Sequence, residues 1–413
     1  MPRRAVASPR TDGRFAPLRL ASFYTYFAVG LFITLPGPLI PEFREAFGLT
    51  HGAVGQMFIA ISAGYAGAVL LGGAAADRYD RKRLLVSAFS FLGACFCAFA
   101  AAASWNAVLA LFVLVGLGFG VGEAVLNALF IDLSRNAPGK GLNALHIAPA
   151  LGGIAGALFA SLLLPLGWRA PLVALGLLLL SGAAWFAGVS YPQQSRGDSI
   201  RWAEVRSVAI HPLVLAVAAL LTAYVGVEGS LNGWIVTYAI EMLGRSQVAG
   251  ALVTSAFWLG LAAGRLVCSR IARPDRHVPI LVVSTALASA AMLPVLVSPD
   301  FATLAFSVLA GGFVLGGVFP TALAHAGAAF PARAGAVTGY LFAWCVVGAA
   351  VLPALFGAIA DRWGMQAAMA SVWAGSLLVT ACALALARVT PARRPERGKR
   401  RRQGGVRDIG RAG

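Results

Sequence analysis

The chain has 413 residues, of which 59% are hydrophobic and 12% charged, with a formal net charge of +17. A soluble globular protein carries charged residues at about twice that share, so the composition excludes a soluble enzyme or binding module and reads as a polytopic membrane protein. In that setting the positive excess belongs to loops at a membrane face, and nucleic acid is not expected as a partner.

Residues 1 to 16 are polar and basic and lead straight into a full-length apolar stretch, without the short apolar core and cleavage site of a signal peptide. A helix rises about 1.5 Å per residue and the hydrocarbon layer is about 30 Å thick, so roughly 20 apolar residues cross it. Twelve such spans are predicted, at 17 to 41, 52 to 76, 83 to 103, 106 to 133, 140 to 166, 168 to 190, 210 to 241, 248 to 272, 278 to 298, 301 to 328, 334 to 360 and 364 to 388. The polar run YPQQSRGDSIRWAEVR, 191 to 206, divides them six and six. The predicted organisation is an N-terminal segment (1 to 16), a six-helix bundle (17 to 190), a linker (191 to 209), a second six-helix bundle (210 to 390) and a basic tail (391 to 413).

The halves echo each other. Gly48, Thr50 and Gly64 recur 196 positions later as Gly244, Ser246 and Gly260, while Gly153 and Trp168 recur 195 later as Gly348 and Trp363. The near-constant offset predicts a duplicated unit, with Thr50 and Ser246 as helix N-caps in equivalent places. The fold class is therefore all-α: twelve transmembrane helices in two pseudo-symmetric six-helix bundles. The 48 glycines suit such helices, which adhere in lipid by close backbone approach. Pro36, Pro38, Pro320 and Pro353 lie within spans and predict kinks where a gate bends.

Counting alternate connections, one side holds 28 of the 33 Lys and Arg, the other only Arg44, Arg169, Arg245 and Arg362, with Arg265 inside a span. The positive-inside bias puts both termini in the cytoplasm of a multi-pass protein of the inner (plasma) membrane. The tail's RGKRRR, 397 to 402, reads as a disordered retention signal close to anionic lipid heads. Cys95, Cys97, Cys268, Cys345 and Cys382 fall within spans and read as packing residues, and no metal or other cofactor is expected.

Ionisable groups deep in a span cost roughly 2.5 to 3.5 kcal/mol or more if they face lipid, so they should face protein or water. Glu123 lies midway along the fourth span with Asn127 one turn on, His146 in the fifth, and Glu228 and Asn232 in the seventh, followed by Trp234. Each half thus presents a carboxylate and an amide, paired donors and acceptors for a small polar solute, with Trp234, Tyr24, Tyr26 or Tyr224 to stack on an apolar face. Burial disfavours ionisation of a carboxyl, so Glu123 and Glu228 are the expected proton sites. The histidines are scattered without metal spacing, which argues against a membrane enzyme, and no GxxxxGKS or GxxxxGKT stretch supplies a nucleotide site.

Between the second and third spans runs GAAADRYDRKR, 73 to 83. It resembles the signature loop GxLaDRxGRK of the major facilitator superfamily, with Gly73, Asp77, Arg78, Arg81 and Lys82 on matching positions, Asp80 in place of the second glycine and Ala75 of the leucine. The loop is expected to act as a gating latch, Asp77 capping the eleventh helix near Ala334 to Ala336 and Arg78 and Arg81 tying neighbouring helix ends. Arg265 is its possible counterpart in the second half. Within the superfamily, GVGEAVLNALF (120 to 130), GLNALHIAPALGG (141 to 153), VEGSLNGWIVTY (227 to 238), GLAAGRL (260 to 266) and GGVFPTAL (316 to 323) look like the fucose permease and its sugar:proton symporter relatives. That resemblance implies a monomeric carrier of alternating access, with Glu123 matching the group's proton-coupling carboxylate and Asn127 its accompanying amide. The group's second acid, in the first helix, has no equivalent, because 17 to 41 contain none. Proton symport of a sugar-like or other small metabolite is the leading expectation, proton-antiport export of drugs or metabolites the alternative.

Overall fold

The computed structural model describes residues 13–134, 138–192, 202–297 and 300–390, and among these it contains helices and no strand. The basic tail lies outside the described residues. The first half comprises α1 (Ala16–Thr34), α2 (Pro36–Phe47), α3 (His51–Arg78), α4 (Arg81–Ala98), α5 (Trp105–Leu133), α6 (Pro138–Leu145), α7 (Ile147–Leu163) and α8 (Arg169–Gly188). After the short α9 (Trp202–Ala209) come α10 (Pro212–Leu243), α11 (Gln247–Ile271), α12 (His277–Val297), α13 (Phe301–Leu315), α14 (Val318–Ala329), α15 (Ala334–Trp363) and α16 (Met365–Val389). Eleven spans among the described residues are long and apolar enough to cross a bilayer, and the 28-residue α3 between the first and third completes the twelve.

Three spans are broken, each beside proline or glycine. The first bends at Leu35, where Pro36 brings no N–H and Leu35 N turns to Phe32 O at 3.2 Å. The fifth breaks at His146, three residues before Pro149, and the tenth at Gly316 and Gly317, ahead of Pro320. Pro353, expected to mark a bend, sits inside the unbroken α15, so the ring is accommodated within one continuous helix.

The predicted duplication is carried in detail by the backbone. Gly48 and Gly244 end their helices in the left-handed conformation, φ +63° and +57°, where any side chain is strained. Thr50 and Ser246 then cap α3 and α11, each hydroxyl accepting from the backbone N–H three residues on at 3.2 Å. Ser104 and Asp300 do the same for α5 and α13, again 196 apart. Gly167 and Gly364, φ +95° and +85°, precede α8 and α16, where Arg169 lies over Trp168 and Arg362 over Trp363. All these turns occupy one end of the bundle, here the far end; the charged loop 73 to 83 marks the near end.

Glycines in register set the helix contacts. A Cβ on Gly64 would meet Val113 O and Leu117 N, and one on Gly260 would meet Leu309 O and Phe313 N, each neighbour displaced by the same 196. Gly116 and Gly312 return the contact onto Ile61 and Phe257. Gly30 against Gly152 in the first half becomes Gly226 against Gly348 in the second, so the partner of Gly348 is Gly152, one residue from the Gly153 that sequence spacing selects. Helices this close hold by backbone contact that no larger residue permits.

The halves join along α3 with α15, α7 with α11 and α2 with α10. Gly37 abuts Asn232 O, Gly55 the backbone of Ala354, Gly153 the Trp258 ring and Gly233 the Phe58 ring. The hydrogen bonds across this seam gather toward the far end: Asn232 to Ile33 O (2.5 Å), Gln247 to Pro38 O (2.7 Å), Ser255 to Ile154 O (2.6 Å), and a charged group around His51.

Overpacking of a filled contact costs about 1–3 kcal/mol. Gly64→Ala and Gly260→Ala are expected to lower the midpoint of heat-induced loss of monodisperse protein by several degrees. Gly67→Ala, whose Cβ would meet open space, is expected to leave it unchanged or raise it; equal effects at all three positions would count against the packing described.

Candidate functional site

Glu123 projects from α5 toward α1 and α3, which both answer it with a phenol. Tyr26 OH donates to Oε1 at 3.0 Å and Tyr65 OH to Oε2 at 2.7 Å, so each carboxylate oxygen has one donor. Three helices thus fix one acid. Asn127, a turn further on, lies against Tyr26, and its Oδ1 is buried without a hydrogen-bond partner. The edge of the Tyr26 ring meets the imidazole of His146, 5.4 Å between centroids. His146 stands at the α6–α7 break and is exposed.

The second half supplies the facing wall. Glu228 and Tyr224 share one face of α10, one turn apart, and Arg265 of α11 lies within electrostatic reach of both. Arg265 also acts on His146, which brings the two halves to one place. Cys345 of α15 closes the loop, within reach of Glu228 on one side and of Tyr65 on the other. Arg265 Nε, like Asn127 Oδ1, is a buried polar atom with no hydrogen-bond partner, whereas the Tyr224 hydroxyl lies within hydrogen-bonding reach of Glu228 and Arg265. Leaving such an atom unpaired costs about 1–3 kcal/mol, so two beside this acid pair mark a place prepared for further polar contacts.

Of the residues predicted from sequence, Glu123, Asn127, His146, Glu228 and Arg265 are therefore brought together. Asn232 and Trp234 are not. Asn232 is a strut of the seam, donating to Ile33 O and accepting from Trp258 Nε1 at 3.0 Å. Trp234 is fully buried, its Nε1 bonded to Pro353 O at 2.9 Å and its ring stacked on Phe356 at 5.0 Å. Tyr24 turns to α8, where it meets Ser181 at 2.8 Å and the Trp185 ring. The four-residue spacing that puts Glu228 and Asn232 on one helix face says nothing of where the other half presses against that face.

Tyr26, Tyr65 and Tyr224 complete the site; the first and last are expected from sequence as stacking rings, and Tyr65 is the one that sequence reasoning missed. A signal was present for Tyr65: a hydroxyl in the middle of an apolar helix must find a partner, and few acids are available to it.

At the near end, Gly73 and Asp77 fall on the last turns of α3, and their side-chain surroundings lie outside the described residues; so does any contact of Asp77 with α15. Arg78 is exposed. Arg81, at the start of α4, is buried and pairs with Asp132 at the end of α5, also donating to Ala128 O at 3.2 Å. Lys82 donates to Val189 O at 3.2 Å and lies over the Tyr191 ring. The two cations thus tie α4 to the ends of α5 and α8 within the first half. Asp132, the acid that receives Arg81, lies at a span's edge where sequence alone gives it no distinction.

The family model of the Major Facilitator Superfamily matches residues 22–299 and again 252–410. The 3-(3-hydroxy-phenyl)propionate transporter of Escherichia coli strain K12 is 27% identical over 304 residues, covering 70% of this chain and 73% of its own. In fold, the chain is similar to a bacterial homologue of the human lysosomal transporter Spinster in its inward-facing, occupied conformation (TM-score 0.78, 14% identity, 91% of this chain and 97% of that one). It is also similar to a D-xylose–proton symporter (0.71, 13%, 92% and 98%) and to the Escherichia coli fucose:proton symporter (0.63, 16%, 90% and 98%). With twelve spans in two matched bundles, a site shared between them and a family match across nearly the whole length, the chain belongs to the major facilitator superfamily and is a multi-pass membrane transporter of small solutes.

Proposed function

We propose that the chain imports a small organic solute together with a proton, the near end facing the cytoplasm and the far end the outside of the inner membrane. The observation that carries this reading is the setting of Glu123: one acid, midway along a membrane span, held by two phenols from different helices, one of which meets the His146 ring on which Arg265 of the other half acts. A proton bound there neutralises a charge that is costly to leave bare while the site changes sides. Proton entry supplies about 2.3 kcal/mol per charge per 100 mV, enough to concentrate a solute roughly 40-fold. The orientation rests on the loop charges, and the seam closed at the far end fits a state open toward the cytoplasm.

The solute meets a mixed wall. The unpaired Asn127 Oδ1 suits a hydroxyl-rich molecule of the kind named for the xylose and fucose symporters. Arg265 favours a second reading, a solute bearing a carboxylate, as the hydroxyphenylpropionate transported by the Escherichia coli relative does.

In right-side-out vesicles screened over sugars and aryl carboxylates, the active solute is expected to alkalinise the medium, and Glu123→Gln to abolish that proton movement while retaining solute binding. Unchanged proton flux in Glu123→Gln removes Glu123 from the coupling, and acidification in place of alkalinisation identifies antiport. Arg265→Gln separates the two solute classes: for a carboxylate, affinity falls by at least about tenfold, or 1.4 kcal/mol, whereas for a neutral sugar the loss is smaller than that.

A further inference from the structure

At the centre of the far-end seam lies an imidazole with both ring nitrogens engaged. His51, the first residue of α3, sets Nε2 at 3.1 and 3.0 Å from the two oxygens of Glu241 on α10, and Nδ1 at 3.1 Å from Oδ1 of Asp361 on α15. A neutral imidazole has one N–H and one lone pair, so whichever tautomer it takes, one nitrogen would turn a lone pair on a carboxylate oxygen. Only the imidazolium donates in both directions.

The charge balance agrees. Arg44 of α2 pairs with Glu241, and the backbone N–H groups of His51 and Gly52 each donate to Asp361 at 2.8 Å, with Thr50 also bonded to that carboxylate. The Trp234 ring lies 6.0 Å from the imidazole and brings no charge. The other ionisable groups nearby are placed elsewhere: Glu42 is bonded to Gln247 and repelled by Glu45, Arg245 lies over Phe301 and Arg362 over Trp363. Around His51, then, two carboxylates face one permanent cation, and a proton on the ring completes the neutralisation.

We infer that His51 is a proton-binding site whose loading closes the far end of the transporter. The cations Arg44 and His51 belong to the first half and the anions Glu241 and Asp361 to the second, so the bonds exist only while the halves meet there. Loss of the ring proton leaves one of the two carboxylates opposite a lone pair and weakens the closure. The closed arrangement therefore gains on the open one as the pH at that face falls, and loses as it rises. This site lies apart from Glu123 and needs neither its proton nor a solute.

The test uses the full chain in lipid nanodiscs without solute, with spin labels at Glu45 and Val248, exposed positions on opposite halves at the far end, in a background with the five native cysteines replaced. Between pH 8.5 and 5.5, above the range in which exposed carboxylates titrate, the short-distance population is expected to grow on acidification. One coupled proton changes the closed-to-open ratio by up to about tenfold per pH unit. His51→Gln should flatten the response, and His51→Arg should hold the short distance at every pH. A parent with no pH response, or a response that persists in His51→Gln, overturns the inference; monodisperse His51→Arg protein shows that the position tolerates substitution.

Discussion

Backbone set against glycine is the constraint on which the arrangement depends. In lipid a helix gains nothing by hiding leucine, since the solvent is as apolar as the partner, and close approach of main chains is what remains to hold a pair together. The contacts of Gly64 with Val113, Gly116 with Ile61 and Gly30 with Gly152, repeated at Gly260, Gly312 and Gly226, supply it in both halves. The same device lines the seam at Gly37, Gly55 and Gly357. Close main-chain contact of this kind, with the Trp258 and Phe58 rings set against Gly153 and Gly233, holds the seam, and polar groups decide where the halves stop.

The two halves share a backbone and differ in chemistry, and the site is built from that difference. The residue 196 positions after Glu123 is Phe319; the one 196 before Glu228 is Phe32, in α1. Arg265 on α11 has Val69 as its counterpart. Duplication supplied two identical walls, and substitution put a carboxylate with phenols on one and a carboxylate with a guanidinium on the other.

Spans, duplication and caps were legible because they rest on local physics. An apolar run long enough to cross lipid, a glycine able to take positive φ at Gly48 or Gly244, and a hydroxyl at Thr50 or Ser246 each act within a few residues of their own position. The cost of burying Glu123 and Glu228 was equally plain from their place in the spans. What joins them was not. That Tyr26 and Tyr65 converge on Glu123 depends on three helices distant in sequence, and the burial of Asn232 and Trp234 depends on how the second half lies against the first. The group around His51 was hidden for a related reason: its members end or begin helices at a membrane face, where single charges are ordinary, and their pairing appears only once α3, α10 and α15 meet.

The distribution of sign along the seam has a consequence for how such a chain assembles. Had the rim been alike on both bundles, two copies of the first, or two of the second, would mate as readily as one of each. Within the ion group at the rim the cations, Arg44 and His51, lie on the first half and the anions, Glu241 and Asp361, on the second, so this group attracts across unlike bundles and would repel across identical ones. A gene fused from twin segments has in this way acquired an internal means of telling self from sibling.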